Sequence, residues 1–216
     1  MERAMKFAEE ILRLYAVTDR SWLGAQTLAG QVEAALRGGA TCVQLREKEL
    51  NPEAFLEEAR ELKGLCARYG VPLIINDNVA LALEVGADGV HVGQEDMDAR
   101  DVRSLIGPAR NLGVTAKTVQ QARNARQAGA DYLGSGAVFG STTKLNAKPM
   151  SRELLQAICE SAGIPVVAIG GIHRGNIARL AGTGIRGAAV VSGIFAAADI
   201  EAECRLLRAE IAKIVP

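Results

Sequence analysis

Eight short apolar runs, separated by longer segments with helical periodicity, narrow most sharply what this chain can fold into. The runs are Leu12–Val17, Cys42–Leu45, Leu73–Ile75, Gly89–Val92, Asn111–Val114, Tyr132–Gly134, Val166–Ile169 and Gly187–Val191. Their lengths suit strands, and their near-continuous apolar character suits strands buried on both faces. Between or after them lie Ala25–Leu36, Pro52–Tyr69, Val79–Glu84, Ala99–Leu105, Val119–Gln127, Ser151–Glu160, Arg174–Ala181 and Ile200–Ile214, all patterned as helices. Asn51-Pro52 marks one start, a capping side chain followed by proline in the first turn. Such alternation predicts parallel strands joined by crossover helices.

A weak internal repeat selects the arrangement. Gly38-Gly39-Ala40-Thr41, Gly86-Ala87-Asp88-Gly89, Gly129-Ala130-Asp131-Tyr132 and Gly182-Thr183-Gly184-Ile185 each stand between a helix and an even-numbered run. The glycine suits a left-handed helix end. Recurrence at every second unit favours a closed array over a doubly wound sheet, which reverses direction midway. The expected fold is α/β, a single-domain (β/α)8 TIM barrel over residues 1–216, with residues 1–10 a short N-terminal helical lead-in. The length fits one such barrel.

The 25 Lys and Arg balance the 25 Asp and Glu. A nucleic-acid or membrane-surface binder usually carries a basic excess. The expected partners are therefore small-molecule substrates, with no nucleic acid and no membrane; a homo-oligomer stays open. Cys42, Cys66, Cys159 and Cys204 are scattered, without a C-x-x-C pair. That argues against a disulfide or zinc framework and for reduced thiols in a cytoplasmic protein. The opening MERAMKFAEE mixes acid and base and does not read as a signal peptide.

Barrel active sites lie at the C-terminal ends of the strands. The residues expected there are dense in polar groups: Gln44-Leu45-Arg46-Glu47-Lys48, Asn76-Asp77-Asn78, His91 to Asp96, Thr115-Ala116-Lys117, Ser141 to Lys144, Gly170-Gly171-Ile172-His173 and Ser192-Gly193-Ile194. Alternation along the second run puts Gln44, Arg46 and Lys48 on one side. With Lys144 they form a cationic mouth suited to a polyanion such as diphosphate, which Arg can grip bidentately. Asp77 and Asp96 suggest a Mg2+ site completed by substrate oxygens. Gly170-Gly171 and Ser192-Gly193 fall where barrels often bind phosphate through backbone N–H groups. Each feature also has a plainer reading. A lone Lys or Arg is usually solvated, Asp77 could cap the helix after it, and His91 and His173 could be structural. The coincidence at seven of eight strand ends carries the argument, because the opposite turns are mostly Gly, Ala and Pro.

These motifs, from about Leu14 to about Ile211, resemble the thiamine phosphate synthase family. The strings Gln44–Lys48 and His91–Asp96 are the specific ones. The resemblance implies a Mg2+-dependent transferase. It would join 4-amino-2-methyl-5-hydroxymethylpyrimidine diphosphate to 4-methyl-5-(2-phosphoethyl)thiazole, or its carboxylate, with loss of diphosphate by a dissociative, carbocation route. It further implies that Arg46, Lys48, Asn76 and Lys144 hold the diphosphate and that Asp77 and Asp96 ligate Mg2+. Gln44 and Thr115 would contact the pyrimidine. Ser141, Thr143, Gly171 and the amides of Ser192, Gly193 and Ile194 would take the thiazole phosphate. Arg46, Lys48, Lys144 and Thr115 would be the catalytic set. Thr115, Lys117 and Ser141 depart from the commoner Ser, His and Thr. A thiazole tautomerase of the same fold relies on His where Lys117 stands here. A phosphate-handling lyase or isomerase would need a carboxylate–lysine pair instead, and a non-catalytic sensor would bind without turnover.

Overall fold

A computed structural model describes residues 9–140 and 149–215. Eight parallel strands close into a barrel in chain order. They are β1 Leu14–Val17, β2 Cys42–Leu45, β3 Leu73–Asn76, β4 Gly89–Val92, β5 Asn111–Thr115, β6 Tyr132–Gly136, β7 Val166–Ile169 and β8 Gly187–Val190. The helices are α1 Leu28–Arg37, α2 Pro52–Arg68, α3 Val79–Glu84, α4 Ala99–Ile106, α5 Val119–Gln127, α6 Arg152–Ala162, α7 Ser192–Phe195 and α8 Ile200–Ala212. The expected (β/α)8 architecture is therefore present. Of the lead-in expected over residues 1–10, residues 1–8 lie outside the described residues; Glu9–Leu12 forms a 310 turn, so β1 starts at Leu14 rather than Leu12.

Capping chemistry sets the helix starts. Thr27, Asn51, Asn78, Thr118, Ser151 and Asp199 each accept an N–H from the first turn that follows. Thr27 thus moves the start of α1 from Ala25 to Leu28. Arg174–Ala181, expected to be a helix, is only a 310 turn at Ile177–Leu180. Its N-cap Asn176 is committed elsewhere. The Asn176 side chain accepts from His173 N at 2.9 Å and donates to Gly171 O at 2.8 Å.

The repeated glycine turns form the floor of the barrel. Gly39, Gly86, Gly129 and Gly184 have positive φ, as a left-handed chain reversal requires. The side chain two residues after the first three pins the preceding odd strand. Thr41 Oγ1 accepts Leu14 N, Asp88 Oδ2 accepts Leu73 N, and Asp131 Oδ2 accepts Leu112 N. These ties hold strand register at the end opposite the polar mouth, the face of such barrels concerned with stability.

Among the described residues there are two hydrophobic clusters. The larger lies between sheet and helices. The smaller fills the barrel with Leu12, Tyr15, Val17, Cys42, Ile74, Tyr132, Val167 and Ala189. Tyr15 and Tyr132 bring hydroxyls into that interior and are essentially unexposed, so each must find a hydrogen-bond partner there.

Candidate active site

The strand ends open onto one cavity. Gln44, Arg46, Asn76, His91, Thr115 and Lys117 line one part, and Gly170, Gly171, Ile172 and Ser192 another, with Val17, Val167, Ile169 and Val191 forming apolar wall. Asn76 and Thr115 still belong to their strands, which run further than the apolar runs suggested. Gln44 and Arg46 face the cavity as alternation requires. The alternation does not extend to Lys48, because β2 ends at Leu45. Lys48 reaches the site from the loop instead, with Nζ 3.8 Å from Asp77 Oδ2.

That loop is held by Glu47. Its carboxylate accepts from Lys48 N and Glu49 N, at 2.6 and 2.7 Å, and pairs with Arg20 Nε at 2.6 Å. Arg20 also reaches Glu58. Burial opposes the Glu47 charge, but the Arg20 partner and the two backbone N–H groups outweigh it and hold the carboxyl below its usual range. Glu47, the middle of the Gln44–Lys48 string, thus shapes the cationic loop from beneath.

Asp77 does not cap α3; Asn78 does, through Leu81 N. Asp77 sits instead in the left-handed region at φ 63°, a conformation that costs a non-glycine residue but is best tolerated by Asp and Asn. Its N–H donates to His91 O at 2.9 Å, which fixes the turn. Burial and a hydrogen-bonded Asp96 carboxyl push its pKa up to about 6, while Lys48 and an Asn76 hydrogen bond pull the other way. Asp96 is itself aimed by Gly93 N, which donates to Oδ2 at 2.7 Å. Two adjoining carboxylates that repel one another have the donor chemistry of a hard divalent cation. No cluster of three or more His, Cys, Asp or Glu occurs among the described residues, so a cation here would also need substrate or water oxygens.

The opposite pole is glycine-rich. Gly170 and Gly171 have φ of 104° and 63°. A Cβ on Gly171 would meet Phe139 O at 2.7 Å, and one on Gly193 would meet Ile172 O at 2.3 Å. Ser192 and Gly193 open α7, where N–H groups lack intrahelical partners. Ile194 was expected to offer its amide as well, but that N–H closes the first turn onto Val191 O at 3.0 Å, and the side chain is buried. Ser141, Thr143 and Lys144 lie outside the described residues, as does the rest of the Ser141–Ala147 loop.

The sequence did not single out Tyr15 and Tyr132, whose strand pattern is apolar. Gln44 Nε2 donates to Tyr15 Oη at 2.9 Å, and the two phenols lie 2.8 Å apart. Tyr132 Oη is 3.2 Å from His91 Nδ1, and His91 Nε2 is 3.0 Å from Thr115 Oγ1. His91 is thus held at both ring nitrogens.

A closed barrel whose strand ends gather Gln44, Arg46, Asn76, His91, Thr115 and Lys117 around one cavity has the architecture of a (β/α)8 enzyme. The family model described as thiamine monophosphate synthase matches residues 14–194. The chain belongs to that family, which makes it an enzyme, a transferase of thiamine biosynthesis. It is 48% identical to a thiamine-phosphate synthase of Ruminiclostridium cellulolyticum over 90% of this chain and 92% of the relative. It is 46% identical to thiamine-phosphate synthase 2 of Streptococcus pneumoniae over the same shares. In three dimensions it is similar to a thiamine phosphate pyrophosphorylase from Pyrococcus furiosus, with TM-score 0.89, 35% identity, and 96% and 99% of the two chains covered.

Proposed function

We propose that the chain forms thiamine phosphate by joining 4-amino-2-methyl-5-hydroxymethylpyrimidine diphosphate to 4-methyl-5-(2-phosphoethyl)thiazole, or its carboxylate, with release of diphosphate, and of CO2 as well when the carboxylate is used. The observation that carries this reading is the pairing of two unlike anion-binding poles across one cavity. Arg46 and Asn76 line one part, next in the chain to Asp77, which pairs with Lys48; Gly171 and Ser192 line the other.

In this reading Arg46, Lys48, Asn76 and Lys144 bind the diphosphate, and Gln44 and Thr115 contact the pyrimidine. Ser141, Thr143, Gly171 and the Ser192 and Gly193 amides take the thiazole phosphate. Asp77 and Asp96 would hold Mg2+, which would neutralise the negative charge growing on the departing diphosphate. The residues do the rest. Arg46 and Lys48 stabilise negative charge as it grows on the leaving group. Val17, Val167, Ile169 and Val191 keep water from the carbon that loses it. A dissociative route needs no general base for bond formation, because the thiazole nitrogen supplies its own electron pair. The four free cysteines support a cytoplasmic setting, and no helix among the described residues is long and apolar enough to cross a membrane.

The test is a direct assay of the purified chain with both substrates and Mg2+, with an EDTA control. Thiamine phosphate and diphosphate in equal amounts are expected, and neither in EDTA. A folded protein that makes no product, or that only isomerises the carboxylated thiazole, overturns the proposal.

A further inference from the structure

Across β4, β5 and β6, His91 is in register with Gly113, and Gly113 with Tyr132. A side chain at the middle position would separate the outer two. A Cβ on Gly113 would lie 2.4 Å from His91 Nδ1 and 2.3 Å from Tyr132 Oη. Gly134 makes similar room, since a Cβ there would lie 3.0 Å from His91 Cε1. Two glycines therefore clear the space in which the imidazole meets the phenol.

The chain of contacts has a direction. The Tyr15 oxygen accepts from the Gln44 amide, so its own proton is free to go on. If Tyr132 donated to Tyr15, the Tyr15 proton would be left with the Cys42 sulfur, a weak acceptor. If Tyr15 donates to Tyr132, the Tyr132 proton is available to His91 Nδ1 and both phenols are satisfied. His91 must then carry its proton on Nε2 and give it to Thr115 Oγ1. Thr115 has accepted, so its own hydroxyl proton can point into the cavity that it lines.

We propose that Tyr132, backed by Tyr15, is a positioning residue that locks His91 in the Nε2–H tautomer and so makes Thr115 a hydrogen-bond donor toward the ring of the pyrimidine substrate. The consequence for substrate rests on the function proposed above; the tautomer does not. Gln44 and Thr115, on strands far apart in sequence, become the two ends of one wire whose polarity is fixed before substrate arrives. The pocket is thereby set to meet a ring nitrogen acceptor at Thr115, at no cost of reorganisation.

The first experiment is long-range 1H–15N correlation of the ligand-free, full-length protein. The chain has two histidines, so a His173→Gln variant assigns both. His91 is expected as the Nε2–H tautomer in the unmodified protein and as a tautomer mixture in Tyr132→Phe. Tyr15→Phe, which leaves the Tyr132–His91 pair in place, serves if Tyr132→Phe does not fold; it should loosen the same preference. An Nδ1–H tautomer in the unmodified protein, or a tautomer unmoved by both substitutions, overturns the proposal. The second experiment is kinetic. Tyr132→Phe should raise KM for the pyrimidine diphosphate about tenfold, the worth of one hydrogen bond, and leave KM for the thiazole phosphate unchanged. In a Thr115→Val background the same change should have no further effect, whereas an undiminished effect there overturns the route through Thr115. If no variant, nor the unmodified protein, makes thiamine phosphate while the tautomer is as expected, the functional reading falls and the tautomer lock stands.

Discussion

The carboxyl of Asp77 is hydrogen-bonded to that of Asp96, and burial together with this neighbour raises the Asp77 pKa to about 6. The folded protein thus binds a proton that the unfolded chain, with an ordinary aspartate near 3.9, would release. The stabilising contribution is complete below the unfolded value and is lost as pH rises through about 6. At neutral pH the ligand-free pair therefore works against folding. Asp77→Asn removes the repulsion and keeps a residue that tolerates φ 63°. Asp77 is partly exposed, so the gain is discounted to about 1 kcal/mol, or roughly 2–4 °C in Tm. Thermal unfolding in EDTA near pH 8 should show Asp77→Asn melting higher, with the difference closing near pH 5. A lower Tm for the variant near pH 8 contradicts the assignment.

Glu47 should matter to both stability and substrate. Glu47→Ala leaves two backbone N–H groups and one guanidinium edge without their acceptor. The expected loss is about 1–3 kcal/mol in urea unfolding. Because the same loop carries Arg46 and Lys48, KM for the pyrimidine diphosphate should rise as well. Arg20→Ala in that background should add less than it does alone, since the two share one interaction.

Gly113→Ala tests the barrel interior. The new methyl has no room between His91 and Tyr132, so overpacking should cost about 1–3 kcal/mol. The His91 tautomer preference should weaken with it. A variant as stable as the parent would mean that the imidazole and phenol are not held as described.

At the other pole, Gly193→Ala should raise KM for the thiazole phosphate and spare that for the pyrimidine diphosphate. The added Cβ would press on Ile172 O and displace the backbone that begins α7. Equal effects on both substrates would contradict the separation of the two poles.

Much of this could be read in the sequence because the relevant signals are local. Strand–helix alternation, Asn51-Pro52 and the glycine turns act within a few residues, and they carry the barrel. The polar strand ends were legible for the same reason, since a strand's last side chains must face the mouth. What escaped is what depends on distant partners. Asn176 does not cap a helix because it is tied to Gly171 and His173. Glu47 turns down to Arg20 across two loops. Tyr15 and Tyr132 are 117 residues apart and read as ordinary strand residues until closure of the barrel joins their hydroxyls. Ile194 lies in a phosphate-like loop, yet its amide closes a helical turn.

Asp77 and Asp96 are proposed to serve a Mg2+-dependent departure of diphosphate, and turnover against Mg2+ concentration tests that role most directly. The unmodified protein should be inactive in EDTA and saturate with Mg2+. Asp96→Ala should lose roughly 100-fold or more in kcat, the scale of one electrostatic stabiliser, with an unchanged far-ultraviolet circular dichroism spectrum. Turnover of Asp96→Ala close to that of the parent, or turnover of the parent that survives EDTA, would contradict the account.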